Sequence, residues 1–252
     1  MPLNFFDLVN ISERFMEIIN PSSAEKMLEV GKSLRLEPGS RIIDFGCGFG
    51  EELALWGEHF GISGVGIEIR PYACERAARK MTERGLDGRI QIACANGAEY
   101  AYPAHSFDAA VCLGASFIWN GFPSALRALK DAIQPSGRLA IGEPYWLSDS
   151  VPFSYKESQA DIRAENELLQ MIRQEGFDLE NIVRASHDDW DRYECGNWAG
   201  LIRWLDENPA SSTDRQQVID HLRAAQDEYL QYGRQYLGWA VYVLAPEYSD
   251  KS

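Results

Sequence analysis

The chain has 252 residues, of which 45% are hydrophobic and 25% are charged, a composition typical of a globular protein with a substantial core. Its 38 acidic residues outnumber its 24 lysines and arginines, which gives a formal net charge of −14. Such a charge repels phosphate backbones and argues against nucleic acid as a partner. The five cysteines are odd in number and widely spaced, so they indicate neither a disulfide framework nor a zinc site.

Neither a membrane span nor a targeting segment is visible in the sequence. No apolar run approaches the roughly 20 residues that cross a bilayer. The first residues lack the charged and apolar regions of a signal peptide. No set of histidines and carboxylates has metal-ligand spacing, so no metal is expected. We therefore expect a cytoplasmic protein in a reducing compartment, without a membrane partner.

The hydrophobic pattern predicts two helices followed by an alternating series. Apolar residues at helical spacing predict a helix over 5–20 that ends before Pro21. Ser22-Ser23 then supplies the N-cap of a second helix that runs through Lys26 to Leu34. Strands are then predicted at 41–45, 64–69, 89–94, 107–113 and 137–142, with helices at 50–60, 71–84 and 122–134. This alternation is typical of α/β folds, in which right-handed crossovers build a parallel sheet covered on both faces.

The pattern is less regular after residue 143. We predict a helix at about 161–175, a strand at about 178–186, a mainly helical segment at 188–235 and a last strand at 238–244. There is no internal repeat and no linker. The prediction is one domain over 1–252, which divides into N-terminal helices at 1–35, a cofactor-binding core at 36–187, a helical lid insertion at 188–235 and a final strand at 236–246.

The most informative segment runs from Asp44 to Gly50 and reads Asp-Phe-Gly-Cys-Gly-Phe-Gly. Glycines let a backbone approach a ligand closely, and Glu68, which closes the next strand, is placed to take both hydroxyls of a ribose. A dinucleotide-binding fingerprint would need a glycine where this chain has Glu51, and a carboxylate at a helix N-terminus opposes a pyrophosphate. Asp44 suits a cationic ligand without phosphate.

This segment resembles the D-x-G-x-G-x-G motif of class I S-adenosylmethionine-dependent methyltransferases. Residues 106–112 resemble the fourth strand of that family, and residues 133–139 resemble its turn into the fifth strand. The Gly-Glu-Pro-Tyr-Trp sequence at 142–146 and the Trp- and Tyr-rich region before the last strand look like one bacterial group within it. The resemblance implies a Rossmann-like seven-stranded sheet, mostly parallel with an antiparallel last strand, with helices on both faces.

The resemblance also implies S-adenosyl-L-methionine as cofactor and S-adenosyl-L-homocysteine as product. Asn96 stands where the family commonly has an acidic residue that contacts adenine. The residues expected to bind the cofactor are Asp44, Gly46, Cys47, Gly48, Glu68, Ile69, Asn96, Gly97, Ala98, Leu113 and Gly114.

Candidates for catalysis follow the fifth and sixth strands, because ligands in open α/β sheets lie beyond the carboxyl ends of the strands. They are Glu143, Tyr145 and His187, with Glu143 or His187 as a general base if the acceptor arrives protonated. For His187 the competing interpretation is a solvated turn before a helix cap at Asp188 or Asp189.

The predicted function is transfer of a methyl group to a small-molecule acceptor by in-line displacement, in a monomer or homodimer. A sensor or partner module that binds the cofactor without turnover is the first alternative. An NAD(P)-dependent oxidoreductase is the less favoured one, because of Glu51 and Asp44.

Overall fold

A central β-sheet organises the chain. The computed structural model describes residues 2–209 and 214–247. In these ranges the strands are β1 (Arg41–Phe45), β2 (Ser63–Glu68), β3 (Ile90–Cys94), β4 (Phe107–Leu113), β5 (Ile133–Trp146), β6 (Arg163–Ala164), β7 (Phe177–Arg184) and β8 (Leu237–Pro246). They join in the order β3-β2-β1-β4-β5-β8-β7, and β6 pairs with the end of β5.

Helices cover the sheet and its carboxyl edge. They are α1 (Phe5–Glu13), α2 (Ala24–Ser33), α3 (Glu51–Phe60), α4 (Pro71–Glu83), α5 (Phe122–Ala132), α6 (Phe153–Ser158), α7 (Glu165–Gln174), α8 (His187–Glu207), α9 (Arg215–Glu228) and α10 (Arg234–Tyr236). A 3₁₀ helix spans Ser116–Trp119, and a π-helical turn at Tyr229–Gly233 continues α9.

Strands β1 to β6 pair in parallel, whereas β8 is antiparallel to both β5 and β7. From β1 the chain adds β2 and β3 on one side and then β4 and β5 on the other. This reversal creates a topological switch point between β1 and β4, where the crevice beyond the strand ends is the usual ligand site. The arrangement confirms the predicted fold class.

Two apolar layers hold the helices on the sheet. On one face, α5 packs over β4 and β5 and α7 packs beside it over β7, around Leu126, Leu129 and Ile172, none of them exposed. On the other face, α2 packs against β7 and β8, α4 packs against β2 and β3, and α3 contacts both helices. Trp56 is fully buried there, and its indole nitrogen donates to the Met27 carbonyl at 2.7 Å, which ties α3 to α2.

The first helix is shorter than the sequence predicts. It ends at Glu13, although apolar residues at helical spacing continue to residue 19. These residues pack in a turn instead. Phe15 lies under the guanidinium groups of Arg14 and Arg203, and Ile19 packs on the glycine-rich turn. Apolar spacing alone does not distinguish such a turn from a helix.

Other differences concern the region after β5. This strand runs to Trp146 rather than residue 142, since β8 pairs with its whole second half. The short helix α6 and the two-residue strand β6 were not predicted, and β6 makes the sheet eight-stranded. Helix α7 begins at Glu165 rather than 161, because Glu167 accepts the Ala164 amide and caps the helix there.

The segment predicted to be mainly helical at 188–235 forms α8, α9 and the π-helical turn in its described residues. Helix α8 begins after the end of β7, at the carboxyl edge of the sheet, and α1 packs along α8. Leu8 of α1, Leu201 of α8 and Leu222 of α9 share a small apolar cluster. At Gly200 the two backbones touch, since an added Cβ would lie 2.1 Å from the Ser12 carbonyl oxygen.

Replacing Gly200 with alanine tests this contact. We expect Gly200→Ala to lower the free energy of unfolding by about 1–3 kcal/mol in denaturant titrations, because a backbone oxygen cannot rotate away from the new methyl group. Gly196→Ala on the same helix is the matched control, since its Cβ would meet only the flexible Met16 side chain, starting at 3.0 Å. Equal stability of the two variants would contradict the close approach.

Candidate functional site

A cavity of about 470 Å³ lies at the switch point. Its floor is formed by the residues that follow β1, β2, β3 and β4. Its cover comes from α1, through Phe5, Phe6, Val9 and Glu13, and from Tyr193 of α8. Of the residues predicted to bind the cofactor, those that line it are Asp44, Gly46, Cys47, Glu68, Ile69, Asn96, Gly97, Leu113 and Gly114.

The two remaining predicted residues hold others in place. The Gly48 amide donates to Glu68 Oε2 at 3.1 Å, and the Ala98 amide donates to Asn96 Oδ1 at 3.1 Å. Neither residue is among those lining the cavity. The sequence pattern therefore brings nine of its eleven candidates to one surface and two to the layer behind it.

The glycine-rich turn requires glycine at two positions. Gly46 and Gly48 have φ angles of +76° and +53°, in the left-handed region that side chains disfavour. The Gly46 amide donates to the Ile67 carbonyl at 2.8 Å, which binds the turn to the end of β2. An added Cβ at Gly46 would lie 2.6 Å from the Ala115 Cβ, so a side chain there would occupy the space between the two strand ends.

The Glu68 carboxylate is fixed by amide donors. Its Oε1 accepts from the amides of Ile69 and Arg70, both at 2.9 Å, and Oε2 accepts from Gly48. Arg70 Nε adds a contact of 3.3 Å to Oε1. Oε1 is therefore occupied by three protein donors, while Oε2 has capacity for a ligand hydroxyl.

A buried ion pair connects Glu68 with the covering helix. Arg70 Nη1 donates to Glu13 Oε2 of α1 at 2.7 Å, and both side chains are less than a tenth exposed. Burial raises the pKa of Glu13, which the guanidinium partly offsets. Among the described residues that line the cavity, Arg70 is the one lysine or arginine, facing four carboxylates.

The other two carboxylates of the cavity, Asp44 and Glu52, are underpaired. Burial holds the pKa of Asp44 well above its usual range, and the charges of Glu52 and Glu68 raise it further. Burial also raises the pKa of Glu52, although Asn20 Nδ2 donates to its Oε1 at 2.9 Å. Within the described part of the chain, Asn20 Oδ1 is buried without a hydrogen-bond partner. This end of the cavity presents acceptors and lacks donors.

Glu51, the residue that argued against a pyrophosphate, takes no part in the cavity. Its carboxylate is bound by Lys80 at 2.5 Å and by Arg84 at 2.9 Å, both on the side of α4. The neighbouring Glu52 lines the cavity instead. A carboxylate still occupies the first turn of α3, at the position where a dinucleotide fold would bind phosphate.

Glu143 lies behind the 3₁₀ helix that borders the cavity. Burial raises the pKa of its carboxyl to about 7. Ser116, the residue before the cavity-lining Phe117 and Ile118, is close enough to favour the ionised form of the carboxyl, which lowers this pKa. Among the described residues, its Oε1 is one of the few buried side-chain oxygens without a partner.

Tyr145 and His187 lie away from the cavity. The Tyr145 ring packs on Gly238, where a Cβ would come within 2.4 Å of the ring carbon Cζ, and its hydroxyl faces Arg184 and Glu165. His187 is the exposed first residue of α8. Ser186 caps that helix, and Asp189 accepts the Ser186 amide at 2.8 Å. The structure thus brings none of the three catalytic candidates into the lining.

Several lining residues had no sequence prediction. The principal ones are Glu13, Asn20, Glu52, Arg70 and Tyr193. Asn20 precedes a proline, and Arg70 follows Glu68 by two positions, but neither spacing indicates a cavity. Their roles come from packing of α1, the turn after it and α8 against the strand ends.

A second cavity of about 480 Å³ adjoins the first, between the turn at 15–25 and α8. Asn20 and Tyr193 line both cavities and separate them. Over residues 2–209 and 214–247, none of the helices combines the length and apolar character of a membrane span. In the same ranges no cluster of three or more His, Cys, Asp or Glu side chains could hold a metal ion.

Comparison with known proteins places this architecture in a family. Residues 43–141 match the model of a methyltransferase domain. The Escherichia coli protein YjhP is 34% identical over 244 residues, which cover 94% of this chain and 97% of YjhP. A SAM-dependent methyltransferase from Thiobacillus denitrificans, solved with S-adenosyl-L-homocysteine, is 32% identical with a TM-score of 0.89, over 98% of this chain and all of that one.

A SAM-dependent methyltransferase from Geobacter sulfurreducens, also solved with S-adenosyl-L-homocysteine, is 31% identical with a TM-score of 0.90, over 98% of this chain and 99% of that one. These similarities extend over nearly the whole chain, well beyond the glycine-rich motif. The chain belongs to the class I S-adenosylmethionine-dependent methyltransferases.

Proposed function

We propose that this protein transfers the methyl group of S-adenosylmethionine to a small organic acceptor. One observation carries the proposal: at the switch point, four buried carboxylates meet a single guanidinium in a cavity of about 470 Å³. Burying that much negative charge is unfavourable unless a cation enters. S-adenosylmethionine carries an ammonium and a sulfonium group and no phosphate.

The residues present fit this cofactor. Asp44, Glu52 and the unpartnered Asn20 Oδ1 offer acceptors to an ammonium group. Glu68 Oε2 is free to accept a ribose hydroxyl, and Asn96 with Gly97 forms the wall beyond β3 where a base would lie. The side-chain-free Gly46 leaves room between the strand ends.

When bound, S-adenosylmethionine would supply a methyl group on a positively charged sulfur; the acceptor would bond the methyl carbon as the carbon–sulfur bond breaks, which leaves S-adenosyl-L-homocysteine. The chain contributes alignment and exclusion of water, which account for much of the rate of such a displacement. Helix α1 and Tyr193 cover the cavity, and the ion pair of Glu13 with Arg70 holds the cover to the floor.

The covering wall supports an acceptor with an apolar part. Phe5 and Phe117 are 70% and 71% exposed, and they line the cavity together with Phe6 and Val9. Exposed aromatic rings around a mouth are typical of sites that bind apolar groups. Trp146 and Trp190, either of which would favour a sensor by blocking the cavity, are absent from its described lining.

We propose Glu143 as the general base because, although it too lies outside the lining, its neighbour Ser116 directly precedes the cavity-lining Phe117. A carboxyl with a pKa near 7 is half ionised at neutral pH, and its free Oε1 can accept a proton. The base would serve acceptors that arrive protonated. We assign no step to Tyr145 or His187, since their neighbours are Gly238, Arg184 and the N-terminus of α8. A cytoplasmic monomer or homodimer remains our expectation.

Calorimetry tests the cofactor assignment. We expect S-adenosyl-L-homocysteine to bind and NADH not to bind at millimolar concentration, and the reverse result would reject the proposal.

Replacing Asp44 tests its contact with the cofactor. Asp44→Asn should lower the affinity for S-adenosyl-L-homocysteine about 10- to 100-fold, because a neutral amide loses the charge-assisted contact with ammonium. Without ligand, the melting temperature of the variant should be no lower than that of the wild type, because the variant lacks the buried carboxyl group. Asp178→Asn, exposed at the opposite edge of the sheet, is the control.

The stability of Glu143→Gln tests the pKa of Glu143. The folded-state pKa of about 7 lies above the usual 4.5, so the folded state binds this proton more tightly. The resulting stabilisation is complete below pH 4.5 and is lost as the pH rises through 7. The glutamine of the variant has no charge at any pH. The melting temperature of the variant should therefore rise relative to that of the wild type as the pH increases from 5 to 8. If the difference in melting temperature between the two proteins did not change with pH, Glu143 would not be buried as a neutral acid.

Turnover tests Glu143 as the base. Metabolite extracts incubated with methyl-labelled S-adenosylmethionine would identify an acceptor. With it, the wild-type rate should rise to a plateau above pH 7, as the Glu143 carboxylate forms. Glu143→Gln should lose this rise and most of the rate. Full turnover by the variant would remove Glu143 from the mechanism.

A further inference from the structure

Two cysteines are brought together beside the cavity. Cys74 lies in the first turn of α4, and Cys94 is the last residue of β3. They are 20 positions apart in sequence, and neither belongs to the described lining of the cavity. Both are free thiols, Cys74 buried and Cys94 exposed.

The geometry of α4 and β3 directs both side chains to the same layer. Cys74, Ala77 and Met81 recur at helical spacing on the buried face of α4. Ile90, Ile92 and Cys94 alternate along β3, so they share one face of the sheet. Ile90 and Ile92 pack in the same apolar cluster as Met81, which shows that α4 covers this face.

Glu68 joins the two thiols. The Cys74 Sγ donates to the Glu68 carbonyl oxygen at 3.2 Å, and the amide of Ala95 donates to the same oxygen at 2.9 Å. Glu68 is also the register partner of Cys94 across the β2–β3 ladder. The two thiols are close enough that Cys94 contributes to raising the pKa of Cys74, after burial.

We propose that Cys74 and Cys94 are an oxidation-sensitive pair whose disulfide weakens cofactor binding. The pair flanks the backbone of Glu68, whose carboxylate we assign to the ribose. The effect on the cofactor rests on the proposed function, whereas formation of the bond does not.

The oxidant is a hydroperoxide. The exposed Cys94 thiolate attacks the outer peroxide oxygen, which breaks the O–O bond, releases an alcohol and leaves a sulfenic acid. Cys74 then attacks the sulfenic sulfur, and the disulfide forms with release of water. In sum, two thiols and one hydroperoxide give one disulfide, one alcohol and one water. Burial raises the pKa of the Cys74 thiol to about 12, which makes the exposed Cys94 the first site of attack.

The disulfide would change the geometry around Glu68. It brings the two sulfur atoms to about 2 Å, closer than two hydrogen-bonded thiols. It also removes the hydrogen of Cys74 that binds the Glu68 carbonyl. The bond would also tie the first turn of α4 to the end of β3, beside the Glu68 backbone. The former adjoins Arg70, and the latter leads into Asn96 and Gly97 of the cavity wall.

Peroxide treatment of the full chain, followed by peptide mapping and calorimetry, tests the inference. We expect a Cys74–Cys94 cross-linked peptide that disappears on reduction, and an affinity for S-adenosyl-L-homocysteine about tenfold lower in the oxidised protein, a usual size for coupling between two sites. Reduction should restore the affinity. A sulfinic acid at Cys94 without the cross-link, or a cross-link with unchanged affinity, would overturn the proposal.

Single variants provide the controls. Cys94→Ser and Cys74→Ser should each keep the affinity of the reduced wild type and lose its sensitivity to peroxide. Cys195→Ser removes the other exposed cysteine, on α8, and should stay as sensitive as the wild type. If Cys195→Ser lost the sensitivity to peroxide, the relevant oxidation would be at Cys195, and the proposed Cys74–Cys94 pair would be rejected. If the reduced protein binds no S-adenosyl-L-homocysteine, the proposed function fails, and the peptide map still decides whether the disulfide forms.

Discussion

The structure depends on how negative charge is buried at the carboxyl edge of the sheet. Asp44, Glu52, Glu68 and Glu13 surround one cavity with Arg70 as their cationic partner. Glu68 and Glu13 are satisfied by backbone amides and by that guanidinium. Asp44 and Glu52 are left with raised pKa values. A fold retains such a cost where a cationic ligand offsets it, so the site is complementary to its ligand in charge as well as in shape.

The rest of the fold serves this edge. The reversal of strand order opens the crevice. The glycine turn hydrogen-bonds to the end of β2, and Gly46 leaves the space toward Ala115, beyond β4, without a side chain. Helix α1 closes the crevice from above, and its packing on α8 is as tight as two backbones allow at Gly200. The cover is thus anchored both by apolar contact and by the ion pair of Glu13 with Arg70.

The sequence predicts best what local chemistry determines. The strands from β1 to β4, the glycine turn and Glu68 are predicted because each is encoded by adjacent residues. Asn20, Glu52 and Tyr193 are not, because they come from three separate segments whose meeting depends on tertiary packing. The predicted end of the first helix is wrong for the same reason, because Ile19 packs on the glycine turn rather than along a helix.

The wall between the two cavities has a consequence for the acceptor. Asn20 and Tyr193 are the residues common to both spaces, and the spaces have nearly equal volumes. In the function that we propose, these two side chains would limit how far an acceptor in the first cavity extends toward the second. In the same function Asn20 also accepts from the ammonium group of the cofactor, so a smaller side chain at Tyr193 would enlarge the space for the acceptor without altering a residue proposed to bind the methyl donor, whereas a change at Asn20 would alter both.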